Sequence, residues 1–282
     1  MRKRSYAFLL ALFAFVIGFA DLAIAQAPPD QEEVWRSFMA WYEATAVREA
    51  NPSRGYLLDL QKKGVPRPEI ERQANIITSL FFDRPEAVEI YYDWTFARPV
   101  TGNPARDGFN SSPSAMLVDA VKKTQPGTAL DAGMGQGRNA VYLARKGWNV
   151  TGFDISAQAV SAASANAENA GVKIAAVKAG YDTFDFGEAK WDLIVLTFAW
   201  APVTDPAFVE KLDRSLRSGG RIVFEHFLDT PEHPRPVGRV PKPGQLRTMF
   251  AKFIMDSYEE TEGTGDWGGP GSQLVRMIAR KP

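Results

Sequence analysis

Apolar positions change their spacing once along this chain. Between residues 31 and 96 they recur at helical intervals. Val34, Trp35, Phe38, Met39, Trp41 and Tyr42 predict a helix over Gln31–Glu49, which Asn51-Pro52 stops. Further helices are predicted over Glu69–Leu80 and over Pro85–Phe96, the latter with proline in its first turn. Pro99–Pro113 is rich in Gly, Asn, Ser and Pro and reads as a loop. From Ser112 onward, short apolar runs alternate with longer amphipathic ones. The runs predict strands over Thr128–Asp131, Trp148–Asp154, Lys173–Val177, Asp192–Thr197, Gly220–Phe227, Phe253–Glu260 and Leu274–Ala279. A helix over Ser112–Lys123 precedes them, and between them fall helices over Arg138–Lys146, Ser156–Ala170, Pro206–Leu216 and Gly244–Ala251. Such alternation predicts an α/β fold, a mostly parallel sheet with helices on both faces. The helical region before it is an N-terminal extension.

The first 25 residues read differently. A basic cluster, Arg2-Lys3-Arg4, precedes an apolar run from Tyr6 to Ala20 and then Ala23-Ile24-Ala25. That is the order of a secretory signal with small residues at its cleavage site. The run is short for a membrane span, which takes about 20 residues. The expected organisation is therefore a signal peptide (or N-terminal anchor) over 1–25, a helical extension or lid over 26–111, and an α/β domain over 112–282. The expected location is exported, periplasmic or secreted, with anchoring by the uncleaved segment as the alternative; a membrane is a partner only in that second case.

Composition narrows the chemistry. The chain has 282 residues and no cysteine, which excludes a disulfide framework, a thiolate metal site and a cysteine nucleophile. Lysine plus arginine equal aspartate plus glutamate at 33 each, and no basic stripe stands out, which argues against a nucleic-acid partner. No metal-ligand spacing is found, and nothing in the sequence sets the oligomeric state.

The informative stretch is Asp131-Ala-Gly-Met-Gly-Gln-Gly-Arg-Asn139. An acid ends a strand, Gly133, Gly135 and Gly137 follow at alternate positions, and a helix begins. Glycine allows a tight turn and close approach to a ligand. The helix N-terminus presents free N–H groups suited to a carboxylate. The next strand ends in Asp154, where a carboxylate can accept from both hydroxyls of a ribose, with Ile155 beside it. Together these residues point to a nucleoside ligand. Dinucleotide-binding proteins use Gly-x-Gly-x-x-Gly after the first strand, and the different spacing here disfavours a nucleotide-dependent oxidoreductase.

These residues resemble the class I S-adenosylmethionine (SAM)-dependent methyltransferases. Asp131–Gly137 is similar to their acidic-Gly-x-Gly-x-Gly signature. Gly135–Asn139 with Tyr142-Leu-Ala144 and Trp148–Asp154 looks most like the small-molecule branch near the tellurite-resistance and thiopurine methyltransferases. Trp191–Val195, Leu216–Val223 and Asp266-Trp267 before Leu274–Lys281 extend the likeness to the end of the chain. The resemblance implies a Rossmann-like seven-stranded sheet, SAM as cofactor and transfer of its methyl group to a small-molecule acceptor. An exported protein that binds a nucleoside or a protein partner without catalysis is the alternative. The resemblance further implies that Asp131, Gly133, Met134, Gly135, Gly137, Asn139, Asp154, Ile155, Tyr181, Asp182 and Thr197 meet the cofactor. Met134 departs from the small residue or cysteine usual there, and Asp182 or the backbone near Tyr181 is expected to meet the adenine. At the ends of the next strands, Trp200, Glu225 and His226 are the candidates for the catalytic side, His226 and Glu225 as bases and Trp200 as a stacking surface. His233 falls in a proline-rich loop. Trp35, Trp41, Tyr91, Tyr92, Trp94 and Phe96 make the extension aromatic, either as its own core or as cover for the cleft.

Overall fold

The structure is a computed structural model, and it describes residues 29–45, 52–81, 84–97, 110–232, 240–266 and 271–282. The expected signal segment, His233 and Trp267 lie outside the described residues. In chain order the elements are α1 (Pro29–Ala44), α2 (Pro52–Lys62), α3 (Arg67–Phe81), α4 (Pro85–Ala97), α5 (Ala115–Val121) and β1 (Thr128–Ala132). Then come α6 (Arg138–Arg145), β2 (Asn149–Asp154), α7 (Ala157–Asn169), β3 (Ala175–Lys178), β4 (Trp191–Thr197) and α8 (Pro206–Ser215). The chain finishes with β5 (Leu216–Phe227), α9 (Gln245–Met249), β6 (Ile254–Gly263) and β7 (Ser272–Arg280).

The seven strands form one sheet in the order β3-β2-β1-β4-β5-β7-β6. The strands β1 to β5 run parallel, and β7 lies antiparallel between β5 and β6. β1 thus sits between β2, to which the chain runs one way, and β4, from which it runs the other. A cleft opens at such a reversal, beyond the carboxyl ends of the strands. The glycine loop follows β1 and lies at that place.

Central strands of such a sheet are covered on both faces and so read as continuous apolar runs. In β4, Leu193, Ile194, Val195 and Leu196 are all buried. Ile194 and Leu196 join Leu130, Phe153, Phe208 and Leu212 on one face, whereas Leu193 and Val195 join Leu117, Ala129, Leu143 and Val150 on the other. Small residues set the spacing of the helical layer. Ala159, Ala163 and Ala167 form the buried stripe of α7, and a Cβ at Gly137 would lie 2.9 Å from that of Ala163.

The extension has its own core, built from Val34, Trp35, Phe38, Tyr56, Leu60, Ile76, Ile77 and Ala87. Here α2 is an element that the sequence pattern did not predict. Asn51-Pro52 reads as a stop, but proline also opens helices, because its missing N–H is unsatisfied in the first turn anyway; Gly55 lies under the Trp41 ring rather than breaking the helix. The helix α4 ties the extension to the sheet domain. The Asp93 carboxylate accepts from the Ser156 hydroxyl at 2.6 Å and the Gln158 N–H at 3.2 Å, so it caps α7 from another helix. Lys178 pairs with Glu89 at 2.7 Å, an exposed contact worth little by itself.

Removing that cap has a measurable expectation. Asp93→Ala should lower stability by about 1 kcal/mol, and Asp93→Asn, which retains an acceptor, should recover most of it. Urea unfolding of the three proteins checks this; identical midpoints would show that the cap contributes nothing.

Candidate functional site

The cleft beyond β1, β2 and β4 is a cavity of about 1060 Å³. Ligand pockets commonly span roughly 300–1,000 Å³, so this one stands at the upper end of that range. Its floor is the glycine loop. Gly133, Gly135 and Gly137 have φ of +74°, +53° and +77°, in the left-handed region that side chains avoid. Space enforces the same choice: a Cβ at Gly133 would lie 2.7 Å from the Ala199 Cβ and 2.8 Å from the Tyr181 hydroxyl.

Asp154 locks this loop. One of its oxygens accepts from the Gly135 N–H at 2.9 Å and the other from the Ser156 N–H at 3.0 Å. The carboxyl lines the cavity. Burial raises its pKa to about 6, against those backbone N–H groups and with help from the nearby Asp93. Asp131 stands behind the loop, off the cavity wall, and accepts from the Ala140 N–H at 2.9 Å in the first turn of α6. Burial raises Asp131 to about 7, more strongly than Arg138 lowers it. One buried carboxyl thus faces the cavity and a second lies behind its floor, both with little cationic compensation, a setting that favours a ligand bearing positive charge.

The other expected cofactor residues are distributed as follows. Met134 and Ile155 line the cavity, and Met134 packs over Gly152. Asn139 links Ser114 to Thr197, accepting from the Ser114 N–H at 2.9 Å and donating to the Thr197 hydroxyl at 2.7 Å; both Asn139 and Thr197 face the cavity. Tyr181 donates its hydroxyl to the Ala132 carbonyl at 3.0 Å, and burial holds that phenol well above its usual pKa. Asp182 is an exposed residue at the cavity rim.

The three catalytic candidates separate. Trp200 lines the cavity, whereas Glu225 and His226 do not. Glu225 is held by the Arg276 guanidinium at 2.8 Å and the Ser114 hydroxyl at 2.9 Å. His226 is buried among the rings of Phe198, Trp200, Phe224 and Phe227. The expectation of a base at either position is corrected accordingly: strand β5 turns both side chains into packing and an ion pair. Asp266, between β6 and β7, is a wall residue that the sequence reading used only as a landmark. It pairs with Arg138 in the first turn of α6, and burial raises its pKa to about 6.

The extension's aromatics also divide. Trp35 and Trp41 serve its own core, while Tyr91, Tyr92 and Phe96 face the cavity.

Comparison with known proteins bears on this site. Residues 129–220 match a family model described as a methyltransferase domain. A protein named hemagglutinin 1, from Eikenella corrodens, is 28% identical over 191 residues, which cover 63% of this chain and 62% of that one. A probable S-adenosyl-L-methionine-dependent methyltransferase, TehB of Haemophilus influenzae, is 26% identical over 124 residues, 43% of each chain. The crystal structure of TehB from Haemophilus influenzae superposes with a TM-score of 0.51 at 23% identity, covering 60% of this chain and 62% of that one, a likeness of fold. The chain spans about two fifths to three fifths of the curated relatives it matches.

The raised pKa values predict a pH dependence of stability. A buried acid whose folded pKa exceeds its unfolded value stabilises the fold fully below the unfolded value, near 3.8, and that stability is lost as pH rises through the folded one. Asp131→Asn, which retains an acceptor for Ala140, should therefore match the parent near pH 4. At pH 8 it should be the more stable by on the order of 3 kcal/mol. Denaturant unfolding at the two pH values decides; a constant difference across that range would contradict the buried charge.

Proposed function

We propose that this chain, which carries a class I SAM-dependent methyltransferase domain near the TehB-like branch, transfers the methyl group of SAM to a small-molecule acceptor. The observation that carries the reading is the conjunction at the end of β1 and β2. A buried carboxylate accepts from the middle one of three glycines with positive φ and also faces a cavity of about 1060 Å³. The residues fit an adenosyl sulfonium. Asp154 offers lone pairs to ribose hydroxyls, the first turn of α6 offers N–H groups to a carboxylate, and the two buried acids suit a ligand that carries positive charge. The match to a methyltransferase domain over residues 129–220 supports the same chemistry. A non-catalytic role for the fold gains nothing from these comparisons.

When bound, SAM supplies an electrophilic methyl on sulfur: the acceptor's lone pair forms the new bond to carbon, and the carbon–sulfur electron pair returns to sulfur. The protein's share is to hold the acceptor in line, at contacts of roughly 3–3.5 Å, and to exclude water. A base is needed only where the acceptor must lose a proton. With Glu225 and His226 committed elsewhere, Asp266 is a carboxyl on the described wall placed to take one, if its pairing with Arg138 is relaxed. Tyr92 and Tyr181 are unsuited, because burial holds both phenols protonated. The size of the cavity and the even charge balance favour a small acceptor over a polyanion.

Two assays test this. Calorimetric titration should detect SAM binding to the parent and no binding of NADH. Gly135→Val should weaken SAM binding at least tenfold, because its φ of +53° and the Phe96 ring 3.2 Å from the added Cβ both oppose a side chain. With methyl-labelled SAM and a cell extract, label should appear in the small-molecule fraction; label confined to RNA or protein would overturn the proposed acceptor class.

A further inference from the structure

Of the aromatic rings that line the cavity, three stand together near the glycine loop, and two of these come from the extension. Tyr92 and Phe96 stand one turn apart on α4, their rings near parallel at 21° with centroids 5.9 Å apart. Phe96 lies directly over Gly135. The third ring is Trp200, beyond the end of β4, whose indole is hydrogen-bonded to the Tyr92 phenol. Its chain neighbour Ala199 lies against Gly133. Asp154 is close enough for its charge to act on Tyr92. All four residues line the cavity. Among the described residues Tyr92 and Phe96 are half-buried and line the cavity, outside the buried core clusters.

The negative faces of aromatic rings attract a cation and do little for a neutral group of the same shape. In the proposed reaction the adenosyl ligand loses one positive charge, at sulfur, when the sulfonium becomes the thioether S-adenosylhomocysteine (SAH). We propose that Tyr92, Phe96 and Trp200, with Asp154, form an onium cage that favours the sulfonium over the thioether, so that the extension helps to discharge the product. This rests on the methyl-transfer reading. It makes α4 part of the cofactor site rather than cover alone. Elsewhere on the wall, Arg138 pairs with Asp266, Lys211 is bonded to the Tyr181 carbonyl at 3.3 Å, and Arg145, Asp182 and Asp205 add further charge.

The test is the ratio of SAH to SAM dissociation constants, measured by calorimetry on the full chain. The parent should bind SAM about tenfold more tightly. Tyr92→Leu and Phe96→Leu should each reduce the ratio about 3- to 10-fold, mostly by weakening SAM, whereas Tyr92→Phe keeps a ring and should stay within about twofold of the parent. Phe96→Leu carries the test if Tyr92→Leu fails to fold. Equal weakening of both ligands in the leucine variants would overturn the cage and leave α4 as a simple cover, with the methyl-transfer reading intact. If the parent binds neither ligand, that reading fails and the cage with it.

Discussion

The site depends on one carboxylate. Asp154, at the end of β2, accepts one N–H from the glycine loop after β1 and one from the turn into α7. A five-residue turn in which three glycines take left-handed backbone angles has little reason to hold a single shape in water. Here that buried, charge-assisted hydrogen bond ties it to the neighbouring strand, beside two backbone bonds in which the Phe153 carbonyl accepts from the Gly133 and Met134 N–H groups. The same group faces the cavity, so the interaction that shapes the loop also presents an acceptor to whatever enters. Burial opposes its ionisation and raises the pKa to about 6. A ligand with positive charge would relieve that opposition. Binding and ionisation are therefore linked, and affinity for a cationic ligand should grow as the carboxyl loses its proton.

The extension is coupled to the same point. Asp93 on α4 caps α7, the helix that Asp154 introduces through Ser156, and so fixes α4 relative to the glycine loop. Tyr92, its chain neighbour, and Phe96, three residues on, then face the cavity. The two halves of the chain keep separate cores but share a single helix-start hydrogen-bond network. Displacing α4 would uncover the loop and remove a cap together.

Much of this was legible in the sequence because backbone geometry leaves strong marks there. Gly133, Gly135 and Gly137 stand where no Cβ fits, and the unbroken apolar run of β4 marks a strand covered on both faces. The mostly parallel seven-stranded sheet followed from the alternation of elements and the family resemblance, whereas its strand order came only with the structure. The missed element, α2, lies behind a proline that reads equally well as a stop or a start. Side-chain direction was less legible. Glu225 and His226 lie near the carboxyl end of β5, as a substrate-facing pair should, yet Arg276, on the antiparallel β7, claims the first, and a cluster of rings encloses the second. That partner is 51 residues away, and local pattern carries no sign of it. Tyr92 and Phe96 were visible as aromatics at helical spacing; only the docking of α4 shows that Trp35 and Trp41 serve a core while these two serve the cavity.

The place where an adenosyl group lies decides the function of this cleft. A crystal structure of the full chain grown with SAH measures this directly. It should place the ribose hydroxyls within hydrogen-bond distance of the Asp154 carboxylate, roughly 2.7–3.2 Å, and the amino-acid end beside Gly133–Gly137. Density for the ligand elsewhere on the chain, or a cleft closed by its own side chains at saturating ligand, would contradict it.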